Sequence, residues 1–503
     1  MKLTKKEWTG EMTRNLISYS FVAICFIVIA LFCPVLEEGV NYQAWTFIPP
    51  VAIFVFIVAT HRIVEGFFWT AMLTVFIKYR AGFVGGFVES VIANVTDPDG
   101  WWVLMLFMLG GIVTMMFEIS GSGTYFARWV AKKAKSSKFA LFAASFMCIP
   151  LSIDDYTATL VTGSIITPLT DEYKVPREMT AYVLRASSAN ISTILPIGAW
   201  AVYIGAVIEM WDIDIAGSSS GLMFFFTKCL PLCFFPIICL IMCWLIIAGV
   251  IKPFGKMKNA YKRVADGGSV IPEAKPRYVD GVLQEPEPPQ AAPEPRAKCN
   301  LSHFIVPVLA IVTFGYLFDW DMTYGLTWGL IVTFLYYCIT GVFQPIDAAN
   351  SVTEGLASMT TMCMMCTFGL VICNGLADLG FVEYVVDIVS SVVSPSFLPL
   401  LIFIAFSLTE MLVTFNYTLY LIAMPIVVGV AVNVGASVPL AIAALVSAGL
   451  WGYQTAFSSD GGMLACASTG GIDLYDQTFA QYKIMIVCWI LSAVLFTVFG
   501  LTL

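Results

Sequence analysis

Apolar runs long enough to form membrane helices recur from one end of the chain to the other, interrupted by short polar or basic stretches and by one long polar segment, 252–300. Crossing the hydrocarbon layer takes about 20 apolar residues in a helix. The pattern predicts spans at 16–36, 44–60, 66–76, 101–119, 222–250, 304–317, 324–339, 360–376 and 484–501. Two stretches, 81–95 and 346–357, read instead as amphipathic helices, the first lying along the outer surface. The expected fold class is an all-α polytopic membrane protein.

One apolar stretch does not fit a single crossing, because Lys138 and Lys174 make both of its flanks basic. A re-entrant hairpin resolves this, with a helix at 139–151, a tip at 152–157 and a return through 169. The tip reads SIDDYTATL and places Asp154 and Asp155 side by side in an apolar setting. An ionised side chain at the bilayer centre costs about 2.5–3.5 kcal/mol even on mild insertion scales, so such residues face partners or water and mark a path for an ion or solute. Asp154, Asp155 and Thr157 are therefore candidate binding residues.

The next span, 176–210, carries hydroxyls and an amide at Ser187, Ser188 and Asn190, then Pro196 and Gly198. That combination predicts a discontinuous helix whose freed backbone and side-chain oxygens bind a cation. The alternative is a proline kink with serines bonded back to their own helix.

Beyond the linker the pattern returns. Asp-Tyr-Thr at Asp155–Thr157 recurs as Asn-Tyr-Thr at Asn416–Thr418, Val175-Pro176 recurs as Val438-Pro439, and Gly123 matches Gly380. The first copy enters from outside and the second from inside, which predicts inverted-topology repeats with a site where they meet at midplane. The expected division is an extra span at 1–43, a first repeat at 44–251, a cytoplasmic linker at 252–300 and a second repeat at 301–503. The second hairpin is expected at 397–408 and 420–432, with Asn416 and Thr418 at its tip. The second broken helix starts at Pro439 and breaks within 449–462, bringing Gln454, Ser459 and Asp460 to the site. Glu410 either joins that site or lies at its edge.

Composition supports this picture and narrows it. Hydrophobic residues make up 59% of 503 and charged residues 12%, with mean hydropathy +0.85, which excludes an ordinary soluble domain. A net charge of -8 argues against nucleic acid as a partner. With two histidines and cysteines scattered through apolar runs, no metal-ligand or hydrolase motif appears, so neither an enzyme nor a resident cofactor is expected. Basic residues concentrate at Lys2, Lys5, Lys6 and Arg14, and again at Arg128–Lys138, which places the N-terminus in the cytoplasm.

The stretch from Ser152 to Glu178, together with Ser459-Asp460, Gly471, Asp473, Gln481 and Tyr482, resembles the NhaC-type sodium/proton antiporter family. The resemblance implies a secondary active transporter of the bacterial inner membrane, with two hairpins and two broken helices in a moving domain held by a homodimeric scaffold. Sodium, protons or both would be the coupling ions, with sodium at Asp154, Asp155 and Asn190. The chain departs from the family pattern at Arg185-Ala186-Ser187-Ser188, at Gly452-Tyr453-Gln454 and at Ala456-Phe457. Arg185 opens a second reading, a sodium-coupled transporter of a small amino acid or organic carboxylate in which the guanidinium forks to the substrate. Arg185 could equally pair with Asp154 or Asp155.

Overall fold

The computed structural model describes residues 5–35, 41–60, 62–133, 135–210, 218, 220–272, 277–279, 282–284, 293–319, 321–381, 384, 388, 393–413, 417–456, 459–470 and 472–503. Apart from two three-residue strands, every regular element among them is helical. Among these residues, four helices are long and apolar enough to cross a membrane, and three further pairs pass the same test together but are bent by 42° or 62° at a short break.

The chain begins with a helix at Lys5–Phe32, followed by Ile48–Thr60 and Ile63–Tyr79. A tight turn, Arg80–Gly82, then leads into the helix Phe83–Thr96. Arg80 adopts a left-handed backbone, φ +49°. Its guanidinium donates to the carbonyls of Ile29, Cys33 and Pro34 at 2.8, 2.8 and 2.9 Å, which satisfies acceptors left free where the first helix ends.

The pieces expected at 346–357 and 360–376 form one continuous helix, Pro345–Asp378. No proline interrupts it after the first turn, and Gly355 within it serves packing rather than a break. A Cβ on Gly355 would meet the Ile112 Cα at 2.6 Å, and one on Gly111 would strike the Gly355 carbonyl. The helices Pro98–Ser120 and Pro345–Asp378 therefore cross with their backbones in contact, as membrane helices do through small residues.

At Gly121 the chain turns 62° from the span ending at Ser120 into the helix Ser122–Ala131. Gly121 is left-handed, φ +67°, as is Gly380 at φ +78° beyond the other long helix. The match to Gly380 thus belongs to Gly121 rather than to Gly123, because only Gly121 needs a backbone that side chains disfavour.

The segment expected as one span at 222–250 is also bent by 62°, between Gly221–Leu232 and Phe234–Ala248. A π-helical turn, Phe225–Cys229, and two prolines, Pro231 and Pro236, mark the bend.

Two pairs of consecutive helices follow the spans: Ser137–Met147 with Asp155–Glu172, and Leu398–Val413 with Tyr417–Val434. Each is followed by an 18-residue helix, Arg177–Ile194 or Val438–Thr455, and a break. These two helices form the centre of the molecule. The second is 89% buried, against 28% for the apolar 18-residue stretch of the final helix Leu474–Thr502, which turns much of its surface outward.

The polar segment 252–300 carries more structure than its composition suggests. Met257, Ala260 and Val264, spaced 3 and 4 apart, bury one face of the helix Lys256–Ala265. An antiparallel strand pair, Arg277–Val279 with Val282–Gln284, sits further along.

Candidate functional site

The first hairpin positions the paired aspartates by a capping rule. Asp154 is the N-cap of Asp155–Glu172, accepting from the Tyr156 N–H at 3.1 Å, the Thr157 N–H at 3.2 Å and the Thr157 hydroxyl at 2.6 Å. An N-cap aspartate satisfies helix donors, and its charge suits the positive end of the dipole. The helix therefore begins one residue after Asp154. Asp155 and Thr157, expected in the tip, belong to its first turn, and the connection itself is residues 148–154.

Asp155 is 2% exposed. Its carboxylate accepts the hydroxyl of Tyr417 at 3.3 Å, from the first residue of the second hairpin's returning helix. The helices Asp155–Glu172 and Tyr417–Val434 thus meet at this carboxylate. Asn416 lies outside the described residues, as do the side chains of Thr418 and Asp460.

The first break falls at Leu195–Gly198, between Arg177–Ile194 and Ala199–Met210. Pro196 and Gly198 mark it, and a Cβ on Gly198 would overlap the Ser192 carbonyl. The hydroxyl-rich stretch lies before the break, inside a regular helix. Ser187 is more than one turn away from it and donates to Ser145 at 2.8 Å, which also receives the Trp244 indole N–H. Ser188 is buried in the same helix.

Ser192 is the serine that reaches the break. Its hydroxyl donates to the Ser152 carbonyl at 3.0 Å and accepts from the Trp200 N–H at 3.3 Å. The Ala199 N–H donates to the same Ser152 carbonyl at 3.2 Å. That carbonyl therefore holds both halves of the broken helix to the hairpin tip. Beside this junction the Ser152 hydroxyl and the Trp200 indole N–H are buried with no hydrogen-bond partner among the described residues. The Trp200 ring stacks on Tyr417 at 4.3 Å between centroids and lies 5.3 Å from Tyr453.

The second break separates Val438–Thr455 from Asp460–Thr469, with Ser459 capping the latter by accepting the Gly462 N–H at 3.2 Å. Asn190 and Gln454 meet across the two broken helices, the Gln454 side-chain amide donating to Oδ1 of Asn190 at 2.9 Å. A buried polar chain continues from there. Gln481 donates to the Gln454 carbonyl at 2.6 Å, Gln477 donates to Gln481 at 2.8 Å, and Arg185 donates to Gln477 at 2.5 Å.

Arg185 also donates to the Thr478 hydroxyl at 2.9 Å and the Tyr453 carbonyl at 3.4 Å. Its guanidinium lies against Gly462, where a Cβ would come within 2.8 Å. This arginine of the first half is thus held at the second break. Glu410, 1% exposed, packs beside Gly452 of the second broken helix, where a Cβ would overlap its own Cβ.

Ser192, Trp200, Tyr417 and Gln477 are contributors that sequence reasoning missed. Tyr417 had a signal, since it is the central residue of the motif that recurs as Asp-Tyr-Thr and Asn-Tyr-Thr. Partners such as Arg185 and Gln477, 292 positions apart, leave none in local periodicity.

No group of three or more metal-binding side chains occurs among the described residues. A separate cavity of about 380 Å³, lined by Lys78, Asn94, Asn374 and Asp378 among others, includes none of the candidate site residues.

Comparison with known proteins agrees with this architecture. The fold is shared with the YdaH transporter of Alcanivorax borkumensis, described as having an unusual topology, at TM-score 0.58 and 11% identity over 86% of this chain and 97% of that one. It is also shared with MtrF of Neisseria gonorrhoeae, described as illuminating a class of antimetabolite efflux pumps, at TM-score 0.52 and 12% identity over 96% of this chain and 94% of that one. An uncharacterized protein of Haemophilus influenzae is 25% identical over 185 residues, which is 34% of this chain and 35% of that protein. The match thus spans about a third of that relative's length. Residues 226–501, more than half of the chain, match the model of the Na+/H+ antiporter family, and the chain belongs to that family of multi-pass membrane proteins.

Proposed function

We propose that this chain exchanges sodium for protons by alternating access, with Asp154 and Asp155 forming a carboxylate site near the membrane midplane. The observation that carries the reading is the buried Asp155 carboxylate, held by Tyr417 at the meeting of the two hairpins. Two adjacent carboxylates favour taking up one cation, and a site that accepts either a proton or sodium exchanges them by competition. The oxygens of Asp154, Asp155 and Asn190 are the hard donors sodium needs. The two halves, 44–251 and 301–503, act as inverted repeats on this reading. The protein works as a homodimer in the bacterial inner membrane with its N-terminus in the cytoplasm.

Proteoliposomes loaded with a pH-sensitive dye test this. Added sodium should drive proton movement in the wild type, and Asp155→Asn should abolish it while the protein still elutes as a folded species. Retained sodium-driven exchange in Asp155→Asn would sink the assignment.

A second reading, sodium-coupled carriage of a small amino acid or organic carboxylate, is favoured by one observation. The buried indole N–H of Trp200 lacks an acceptor among the described residues and sits in an aromatic cluster beside Asp155, as an organic solute's site would require. A thermal-shift screen of sodium, lithium, pH, amino acids and organic acids separates the readings, because a ligand that binds only the folded state raises its melting point. Loss of organic-solute binding in Arg185→Gln with sodium binding intact would favour the second.

A further inference from the structure

The end of the linker makes contacts that its composition does not announce. Arg296 grips Asp347 through both terminal nitrogens, at 2.5 and 2.7 Å, and its Nε donates to the Ile119 carbonyl at 3.0 Å. The Arg296 backbone N–H donates to the Ser120 carbonyl at 3.1 Å. Two residues earlier, Glu294 accepts both terminal nitrogens of Arg128, at 2.9 and 2.7 Å. Pro295, between them, lies so close to Gly121 that a Cβ there would meet its Cα at 2.5 Å.

Three consecutive residues therefore close over the elbow at Gly121 and tie it to the start of Pro345–Asp378. The elbow is the root of the helix Ser122–Ala131, which packs against both helices of the first hairpin. Gly123 of that helix faces Leu151, where a Cβ would touch the side chain at 3.5 Å. Leu151 immediately precedes Ser152, whose carbonyl holds the two halves of the broken helix. A continuous path of contacts thus runs from Arg296 through the elbow to the hairpin tip.

We propose that Glu294–Arg296 is a clasp that sets the position of the first hairpin tip, which makes Arg296 a positioning residue for the site at Asp154 and Asp155. The two clamps differ in kind. Arg128 and Glu294 are exposed and form the weaker, salt-sensitive pair, whereas Asp347 is nearly buried and Arg296 also completes backbone acceptors at the elbow. Release of the clasp frees the elbow without removing any group from the site itself.

The effect on ions rests on the proposed sodium site, and hydrogen exchange does not. In the intact protein, amide exchange of the peptide covering 148–157 should quicken in Arg296→Ala, return most of the way in Arg296→Lys, and change little in Glu294→Ala. Unchanged exchange there in Arg296→Ala overturns the clasp. Sodium should raise the wild-type melting point, and the sodium concentration giving half the shift should rise about fivefold in Arg296→Ala. If sodium fails to stabilise the wild type, the site reading fails while the exchange result still decides the clasp. If sodium stabilises both proteins at the same concentrations, the positioning role fails. Should Arg296→Ala not fold, Arg296→Gln carries both measurements, since it keeps much of the stem but loses the charge and the fork to Asp347.

Discussion

The side-chain amide of Gln454 donates to the side-chain Oδ1 of Asn190 across 2.9 Å, and this bond joins the two broken helices in the interior. Both residues are essentially unexposed, at 1% and 0%. With both side chains turned away from solvent, the bond also fixes how the two helices face each other.

Replacing Gln454 with leucine should therefore cost about 1–3 kcal/mol, because it leaves a buried acceptor without that donor. Asn190→Leu should cost a similar amount. The double variant should lose less than the sum, since the orphaned partner disappears with it. Thermal unfolding of the four purified proteins in one detergent measures this, and strict additivity would show that the two amides do not act together.

The adjacent aspartates should separate cleanly by role. Asp154→Ala removes three accepted hydrogen bonds at the start of Asp155–Glu172 and should destabilise the protein by about 0.5–2 kcal/mol. Asp154→Ser, which can still cap, should recover most of that. Asp155→Asn, whose carboxylate is not the cap, should unfold close to the wild type. Comparable losses in Asp154→Ala and Asp155→Asn would refute this division.

These residues also show what could be read from the chain alone. Two carboxylates in an apolar stretch stand out by cost, and Pro196 with Gly198 stands out by backbone chemistry, so the hairpin and the location of a break were legible. The hydroxyl of Ser187 shows why residue type alone does not assign a role, because a serine inside a buried helix serves a neighbouring helix, here at Ser145, as readily as a cation. Helix continuity through Gly355 was hidden for a related reason: one residue type both weakens helices and lets them touch. The amide chain from Gln454 to Gln477 and the grip of Arg296 on Asp347 depend on tertiary placement, which periodicity does not encode.

The close crossing at Gly111 and Gly355 yields a sharper test than a core substitution. Gly355→Ala should cost about 1–3 kcal/mol, the usual range for forcing extra atoms into a packed contact, because its Cβ would press on backbone that cannot rotate away. Gly110→Ala, where nothing lies within 4 Å, is the matched control and should be neutral. Equal melting points for the two variants would mean that the helices can separate without loss.

Glu178 provides the last test, in the first turn of the first broken helix. Its side chain is 6% exposed and is held by a fork from Arg263, at 2.8 and 2.9 Å, reaching over from the linker helix Lys256–Ala265. The pair is partly screened, because Arg263 is 26% exposed, so its net worth is below that of a fully buried bridge. Removing only the arginine is another matter, since a carboxylate is then left in a nearly dry setting. Arg263→Ala should destabilise by about 1.5–3 kcal/mol, the range for hydrogen bonds to charged groups, and should detach the linker helix, seen as faster proteolysis within 256–272. Adding Glu178→Gln should recover part of the melting temperature, because the stranded charge is gone, but should not restore protection of the linker. If the double variant melts no higher than Arg263→Ala, the cost lies in lost packing of the arginine stem rather than in the orphaned carboxylate.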